Sequence, residues 1–178
     1  MKMSNSEKLI TVMLCEIMEH LNINSEVDPD FVKDAILDDH LWAFEWKYHG
    51  IFGENGDPTP QYVSFVADVL DMWSFIERGY DNLSDVDKAQ VKSEAPFGFS
   101  KFEGFDGNNE TEYMSVARFL VEKLNRFTEF KGRSFNSHMP SVQRYREMLH
   151  IFEEIQNNLD ARSLTAEEII KILKRGAA

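Results

Sequence analysis

The sequence predicts an all-α fold, a single domain of six or seven helices, on three observations. Apolar residues recur at helical spacing in several separate stretches of the chain. Cap residues and prolines mark the starts of these stretches, and no run of alternating strands occurs. A chain of 178 residues is long enough to bury a core of its own. Phenylalanines alternate loosely near residues 97–105, and this pattern is also compatible with a short extended segment there.

The first two helices are predicted from an apolar stripe and from a cap. The stripe predicts an amphipathic helix over residues 5–22, and its members are Leu9, Ile10, Met13, Leu14, Ile17, Met18 and Leu21. Asp28 followed by Pro29 opens the second helix, because Asp accepts from free backbone N–H groups and Pro has no N–H to lose. We expect this helix to run unbroken over residues 29–49.

Two further helices precede residue 96. The cap-then-proline pair Thr59-Pro60 opens a third helix, whose apolar stripe continues to about Tyr80 and wraps more than one face. Ser84 with Asp87 opens a short polar helix that ends near residue 96.

The second half of the chain predicts the remaining helices. Asn109 with Glu112 three residues later is a capping-box arrangement, and it predicts a helix over residues 109–129. Pro140 starts the next helix, to about residue 157. A second capping box, Thr165 with Glu168, opens a short terminal helix.

The net charge of −12 is concentrated in one half of the chain. Within the single domain predicted over 1–178, residues 1–96 carry 7 Lys or Arg against 19 Asp or Glu, and residues 97–178 carry 12 against 12. An acidic half repels phosphates, so nucleic acid is not an expected partner. A local basic island nevertheless occurs within residues 118–146: Arg118, Lys123, Arg126, Lys131, Arg133, Arg144 and Arg146.

The sequence predicts a cytoplasmic location. The N-terminal residues lack the apolar core and cleavage site of a signal peptide, and no apolar run is long enough to cross a bilayer, so no membrane contact is expected. The single cysteine, Cys15, allows no internal disulfide, which fits a reducing compartment.

Four aromatic side chains are candidates for an interface: Trp42, Trp46, Tyr48 and Trp73. Aromatic residues are enriched at protein–protein contacts, so these residues predict a surface for self-association or for a protein partner. The alternative is that they fill the core.

Three stretches identify a family. They are SEKLITVMLCEIMEHL near the start, DVLDMWSFIERGYDNL at 68–83, and FEGFDGNNETEYMSVARFLVEKLNRF with NSHMPSVQRYREML from residue 102 onward. The sequence resembles the YfbU-like family of bacterial proteins over the whole chain. The resemblance implies a multihelical cytoplasmic fold that self-associates, and it implies no reaction and no catalytic residue.

The region 103–146 predicts a candidate ligand site. Its glycine-rich turn precedes a helix N-terminus, where free N–H groups favour an anion, and several arginines lie nearby. The candidate ligand-binding residues are Phe105, Asp106, Asn109, Tyr113, Arg118, Arg126, His138, Tyr145 and Arg146. His138 is a candidate acid or base beside Asp106 or Glu103. The structural alternative assigns Phe105 to a hydrophobic staple and Asp106 and Asn109 to the turn.

No recognisable catalytic, metal or cofactor motif accompanies these residues. Neither GxSxG nor a Walker-type motif occurs, and Glu147 with His150 lacks the second Glu-x-x-His that a di-iron site requires. The terminal SLTAEEIIKILKRG resembles the start of a helix-turn-helix in composition, but a second helix is missing.

The sequence therefore favours a non-enzymatic protein that self-associates or binds a protein partner, with one subunit's acidic half set against another's basic island. The alternative is a small-anion-binding sensor or enzyme that uses the 103–146 region.

Overall fold

The computed structural model describes residues 2–52, 58–95, 101–160 and 162–175. The chain forms two compact units, Met1–Gln61 and Tyr62–Ala178, and each is described by itself. The predicted charge boundary between residues 96 and 97 falls inside the second unit.

The all-α prediction is confirmed, although the described ranges contain nine α-helices where the sequence predicted six or seven. They are α1 (Asn5–His20), α2 (Pro29–Leu37), α3 (Ala43–Lys47), α4 (His49–Phe52), α5 (Gln61–Asp81), α6 (Asp85–Glu94), α7 (Thr111–Arg118), α8 (Val142–Gln156) and α9 (Ala166–Arg175). A π-helix (Phe119–Lys123) and a 3-10 helix (Thr128–Phe130) lie between α7 and α8. At the end of the extended segment considered near 97–105, one isolated bridge joins Phe105 to Asn136, and residues 97–100 lie outside the described ranges.

Helix α1 begins at a complete capping box. The Ser4 side chain accepts from the Glu7 backbone, and the Glu7 carboxylate accepts in return from the Ser4 backbone. The helix packs against α2 with the side that carries buried Cys15, and Glu19 pairs with Lys33. Burial raises the pKa of the Cys15 thiol. Apart from the half-buried Met18, the apolar stripe of α1 is consequently on its other side.

The prediction of one helix over residues 29–49 is wrong, because α2 ends at Leu37. Asp39 adopts a left-handed φ of 58°. The N–H of Asp39 then donates to Ile36 O at 3.4 Å, and the N–H of His40 donates to Ala35 O at 2.8 Å. These two bonds form a Schellman motif, which satisfies the last carbonyls of α2 and turns the chain into α3.

In the second unit α5 is the longest helix and the most buried. Its 21 residues include 11 that are buried, on more than one face, as the wrapped stripe predicted. Helix α9 packs against both α6 and α8. The predicted capping box at its start is confirmed, since Thr165 N donates to Glu168 Oε2 at 2.9 Å and Glu168 N donates to Thr165 Oγ1 at 3.3 Å.

The prediction of a helix over residues 109–129 is wrong at both ends. The Asn109 side chain donates to Asp106, so the predicted capping box does not form, and α7 starts at Thr111. Asn125 and Phe127 have left-handed φ values of 53° and 51°, which end the helical run after the π-helix. Helix α8 likewise begins at Val142, two residues after the predicted start at Pro140, and ends at Gln156.

Candidate functional site

The two loops that carry the family fingerprint pair with each other. The N–H of Phe105 donates to Phe135 O at 2.9 Å, and the N–H of Ser137 donates to Phe105 O at 3.0 Å. The N–H of Gly107 donates to Asn136 Oδ1, also at 2.9 Å. The predicted GFDGNNE and NSHMP turns are therefore one structural feature.

A buried glutamate, Glu110, holds this feature together. Its carboxylate is 8% exposed and accepts from the backbone N–H groups of Asp106 at 3.0 Å, Ser141 at 2.9 Å and Val142 at 2.9 Å. The hydroxyl of Ser141 donates to it as well, at 3.0 Å. Since Ser141 and Val142 are the cap and first residue of α8, the chain supplies its own anion to this helix N-terminus.

Asp106 fixes the preceding turn. It is 2% exposed, and it accepts from the backbone of Asn108 at 2.9 Å and from the side-chain amide of Asn109 at 2.5 Å. These hydrogen bonds hold the pKa of Asp106 below its usual value, and the nearby His138 adds to the effect. Asp106, Glu110 and Asn136 thus accept from N–H groups of the turn within the chain.

Below the turn lies an aromatic cluster that includes two candidate ligand residues, Phe105 and Tyr145. Both have 0% exposure, and their ring centroids are 5.4 Å apart in an edge arrangement. The Tyr145 hydroxyl donates to Gly104 O at 2.9 Å, and burial raises the pKa of Tyr145 to about 12. Tyr145 therefore stays a neutral phenol that fixes the loop backbone.

Two further candidates, Tyr113 and Arg146, join this cluster nearer the surface. The ring of Tyr113 stacks on Phe105 at 5.8 Å and meets the edge of Phe65 at 5.7 Å. The Arg146 guanidinium lies over the Phe65 ring at 4.7 Å. Phe65 therefore connects these two candidates. It was not predicted as a site residue, because no motif in the neighbouring sequence of α5 indicates a contact with residues so far along the chain.

The other candidate ligand residues lie on exposed segments. Arg118 is exposed at the end of α7, and Arg126 is exposed after the π-helix. No hydrogen bond, ion pair or cation–π contact joins Arg118 to the aromatic cluster within the described residues. His138 is exposed in a left-handed conformation, and its N–H donates to Asn136 Oδ1 at 2.9 Å.

Part of the predicted basic island is paired within the chain. Arg133 donates to both carboxylate oxygens of Glu77, at 2.7 and 2.8 Å, and Arg144 lies 3.7 Å from Glu103. Glu77 is 9% exposed and also accepts from the backbone of Phe102 at 2.9 Å. The island is therefore less available to an outside anion than its charge count indicated.

The candidate interface side chains are largely internal. Trp42 is 6% exposed and Trp73 is 2% exposed, so a partner would reach either one only if it left its position. Trp46 and Tyr48 are half-buried and bonded within the first unit: Trp46 donates to the Thr59 hydroxyl at 3.0 Å, and the Asp28 backbone donates to the Tyr48 hydroxyl at 2.9 Å.

Half of the large apolar side chains that are exposed in the described residues lie instead on α1 and at its C-cap. We call this surface the α1 face, and its members are Leu9, Ile10, Met13, Leu14, Ile17 and Leu21, which are 62%, 57%, 53%, 54%, 50% and 62% exposed. The sequence showed this stripe, but periodicity does not distinguish a face that packs inside the chain from one that awaits a partner.

The described residues contain neither a membrane-spanning helix nor a cluster of metal ligands. No helix among them is both long and apolar enough to span a membrane. They also contain no group of three or more His, Cys, Asp or Glu residues arranged to hold a metal ion.

The fold and the fingerprint loops define a multihelical protein of one known family. A family model described as the YfbU domain matches residues 1–175. The chain is also 32% identical over 177 residues to the UPF0304 protein MJECS11 of Methanocaldococcus jannaschii. The match covers 96% of this chain and 98% of that protein. The chain belongs to the YfbU family.

Proposed function

We propose that this protein self-associates, and that the α1 face is its contact surface. One observation carries the proposal: six large apolar side chains on one helix are each at least half exposed. Monomeric proteins rarely leave a contiguous apolar patch of this kind uncovered, whereas subunit interfaces are built from them. Assembly is the function that this surface serves, in a protein we expect to be cytoplasmic.

The energetics require most of the α1 face to be covered. Burying a half-exposed Leu, Ile or Met contributes about 1 kcal/mol. Two copies contribute twelve such side chains, roughly 10 kcal/mol in total. Association itself costs about 4–15 kcal/mol, so a contact that covered only one end of the face would not hold two copies together.

Native mass spectrometry and sedimentation velocity of the purified protein test the proposal. We expect an oligomer at micromolar concentration, and we expect Ile17→Glu at the centre of the face to give a monomer. The matched control is Val86→Glu on α6, because Val86 is 79% exposed and lies outside the α1 face. A monomeric wild type, or an Ile17→Glu protein that stays oligomeric, would overturn the proposal.

Small-anion binding at residues 103–146 is the second candidate function. It is supported by Arg118, which is exposed and has no carboxylate partner among the described residues. Titration calorimetry with inorganic phosphate tests it: binding that disappears in the Arg118→Ala, His138→Ala variant supports the site, and an unchanged signal in that variant rules these residues out. The self-association proposal predicts no binding heat in either protein.

A further inference from the structure

We propose, building on that self-association, that two copies of the chain pair through α1 in an antiparallel arrangement, with a two-fold axis beside residues 15 and 16. The contact is the same surface on both copies. It closes on itself and therefore produces a dimer rather than a chain of subunits.

The spacing of the α1 face is that of a two-helix seam. Ile10, Leu14, Ile17 and Leu21 follow each other at intervals of four, three and four residues, the spacing of alternating a and d positions in a coiled coil. All four side chains are at least half exposed. When a positions oppose d positions in an antiparallel pair, Ile10 faces Leu21 of the second copy and Leu14 faces Ile17.

The same face has a groove that can receive a side chain from the second copy. Met13, Glu16, Ile17, His20 and Leu21 line this groove, whose volume is about 340 Å³. The first four of these residues have the i, i+3, i+4 and i+7 spacing of a helix-packing hole, and the groove lies to one side of the seam, with Ile17 as the residue that it shares with the seam. Leu14 of the second copy, opposite Ile17, is the seam side chain that this register brings to the edge of the groove.

The helix dipoles favour the antiparallel direction. An antiparallel pair sets the N-terminal end of each α1 beside the C-terminal end of the other, so the two dipoles oppose, whereas a parallel pair aligns them. The formal charges of α1 add little to this preference, because Lys8 lies 2.9 Å from Asp39 and Glu19 pairs with Lys33 within the same copy.

This pairing differs from the contact that charge asymmetry alone predicted. Docking of an acidic half on a basic island joins two different surfaces, and added salt weakens it. The α1 pair joins two acidic molecules through an apolar seam, so added salt screens their overall repulsion and strengthens the pairing. The sign of the salt effect therefore separates the two arrangements.

Cysteine cross-linking measures the direction of the pair. Purified full-length Ile10→Cys and Leu21→Cys proteins, one of them carrying a mass tag, are oxidised separately and as a mixture. In the antiparallel pair, each position lies about 16 Å along the axis from its own equivalent, since the rise is about 1.5 Å per residue. A disulfide needs Cα atoms roughly 4–7 Å apart. We therefore expect the mixture alone to give the disulfide-linked heterodimer.

The controls distinguish a wrong direction from the absence of self-association. Wild type, whose Cys15 is buried, should not cross-link, and the circular dichroism melting curves of both variants should match it. Cross-linking of each variant alone would establish a parallel pair and overturn the inference. A native dimer without any cross-link would also overturn it while leaving self-association standing, whereas a monomeric wild type would remove both proposals.

Discussion

Two regions of this protein reverse the usual placement of side chains, in opposite directions. The α1 face exposes large apolar side chains, while the loops between Phe105 and Val142 bury the carboxylates of Asp106 and Glu110. The buried carboxylates accept hydrogen bonds from the chain itself, so that region is completed internally. The α1 face stays uncovered in the described part of the chain, and we infer that a second copy completes it. Satisfied polar groups indicate structure, whereas uncovered apolar ones indicate a partner.

The largest effect is expected from Gly104→Ala in the fingerprint loop. Gly104 has a φ of +95°, and an added Cβ would stand 2.1 Å from Phe135 O, so the paired loop backbones would have to separate. We expect a loss on the order of 4 kcal/mol in the free energy of unfolding, measured by urea denaturation. Gly50→Ala is the matched control, because nothing lies within 4 Å of its added Cβ, and it should leave stability unchanged or raise it by up to about 1 kcal/mol.

Glu110→Gln should give the next largest effect. The amide keeps one acceptor oxygen, and whichever way it is turned its NH₂ group faces a backbone N–H, that of Asp106 or that of Val142, which then loses its partner. We expect a loss of about 3 kcal/mol in the free energy of unfolding. Glu112→Gln, two residues away and exposed, should change stability little. A Glu110→Gln protein as stable as that control would show that the internal carboxylate does not hold the loops.

Glu168 at the start of α9 shows how much a partly exposed charge contributes to the free energy of unfolding. Its hydrogen bonds with Arg162 lower its pKa to about 2 from the usual value of 4.5. A lowered pKa stabilises the folded state above pH 4.5, and this stabilisation is lost as the pH falls toward 2. After solvent screening we expect Glu168→Gln to cost about 1 kcal/mol at pH 7 and nothing near pH 2, in unfolding curves recorded across that range. Glu167→Gln, beside it and exposed, is the matched control and should change stability little at pH 7.

The smallest effect on folding is expected on the α1 face. Leu9 is 62% exposed, and Leu and Gln have similar helix propensities, so Leu9→Gln should change the free energy of unfolding of the monomer by no more than about 0.5 kcal/mol. The measurement is made at concentrations where no oligomer is present. A loss as large as that of Glu110→Gln would end the contrast between the two regions, because the face would then be part of the folded core.

The local signals in the sequence were sufficient where a hydrogen bond spans three or four residues. The capping box at Thr165, the Asp28-Pro29 start and the long buried helix α5 are all of this kind, because cap and stripe are formed by near neighbours in the chain. The same locality explains the failures. Asn109 and Glu112 have capping-box spacing, but the side chain of Asn109 donates a hydrogen bond to Asp106 instead.

The sequence by itself thus determined the all-α class, most helix starts and the family. The tertiary structure decided that Glu110 accepts from residues 31 and 32 positions away, and that Phe65 links Tyr113 to Arg146. It also decided that α1 buries the side carrying Cys15 and exposes its apolar stripe. The physical reason is that periodicity records which residues share a face, whereas the neighbour that covers that face is set by contacts between distant parts of the chain or between chains.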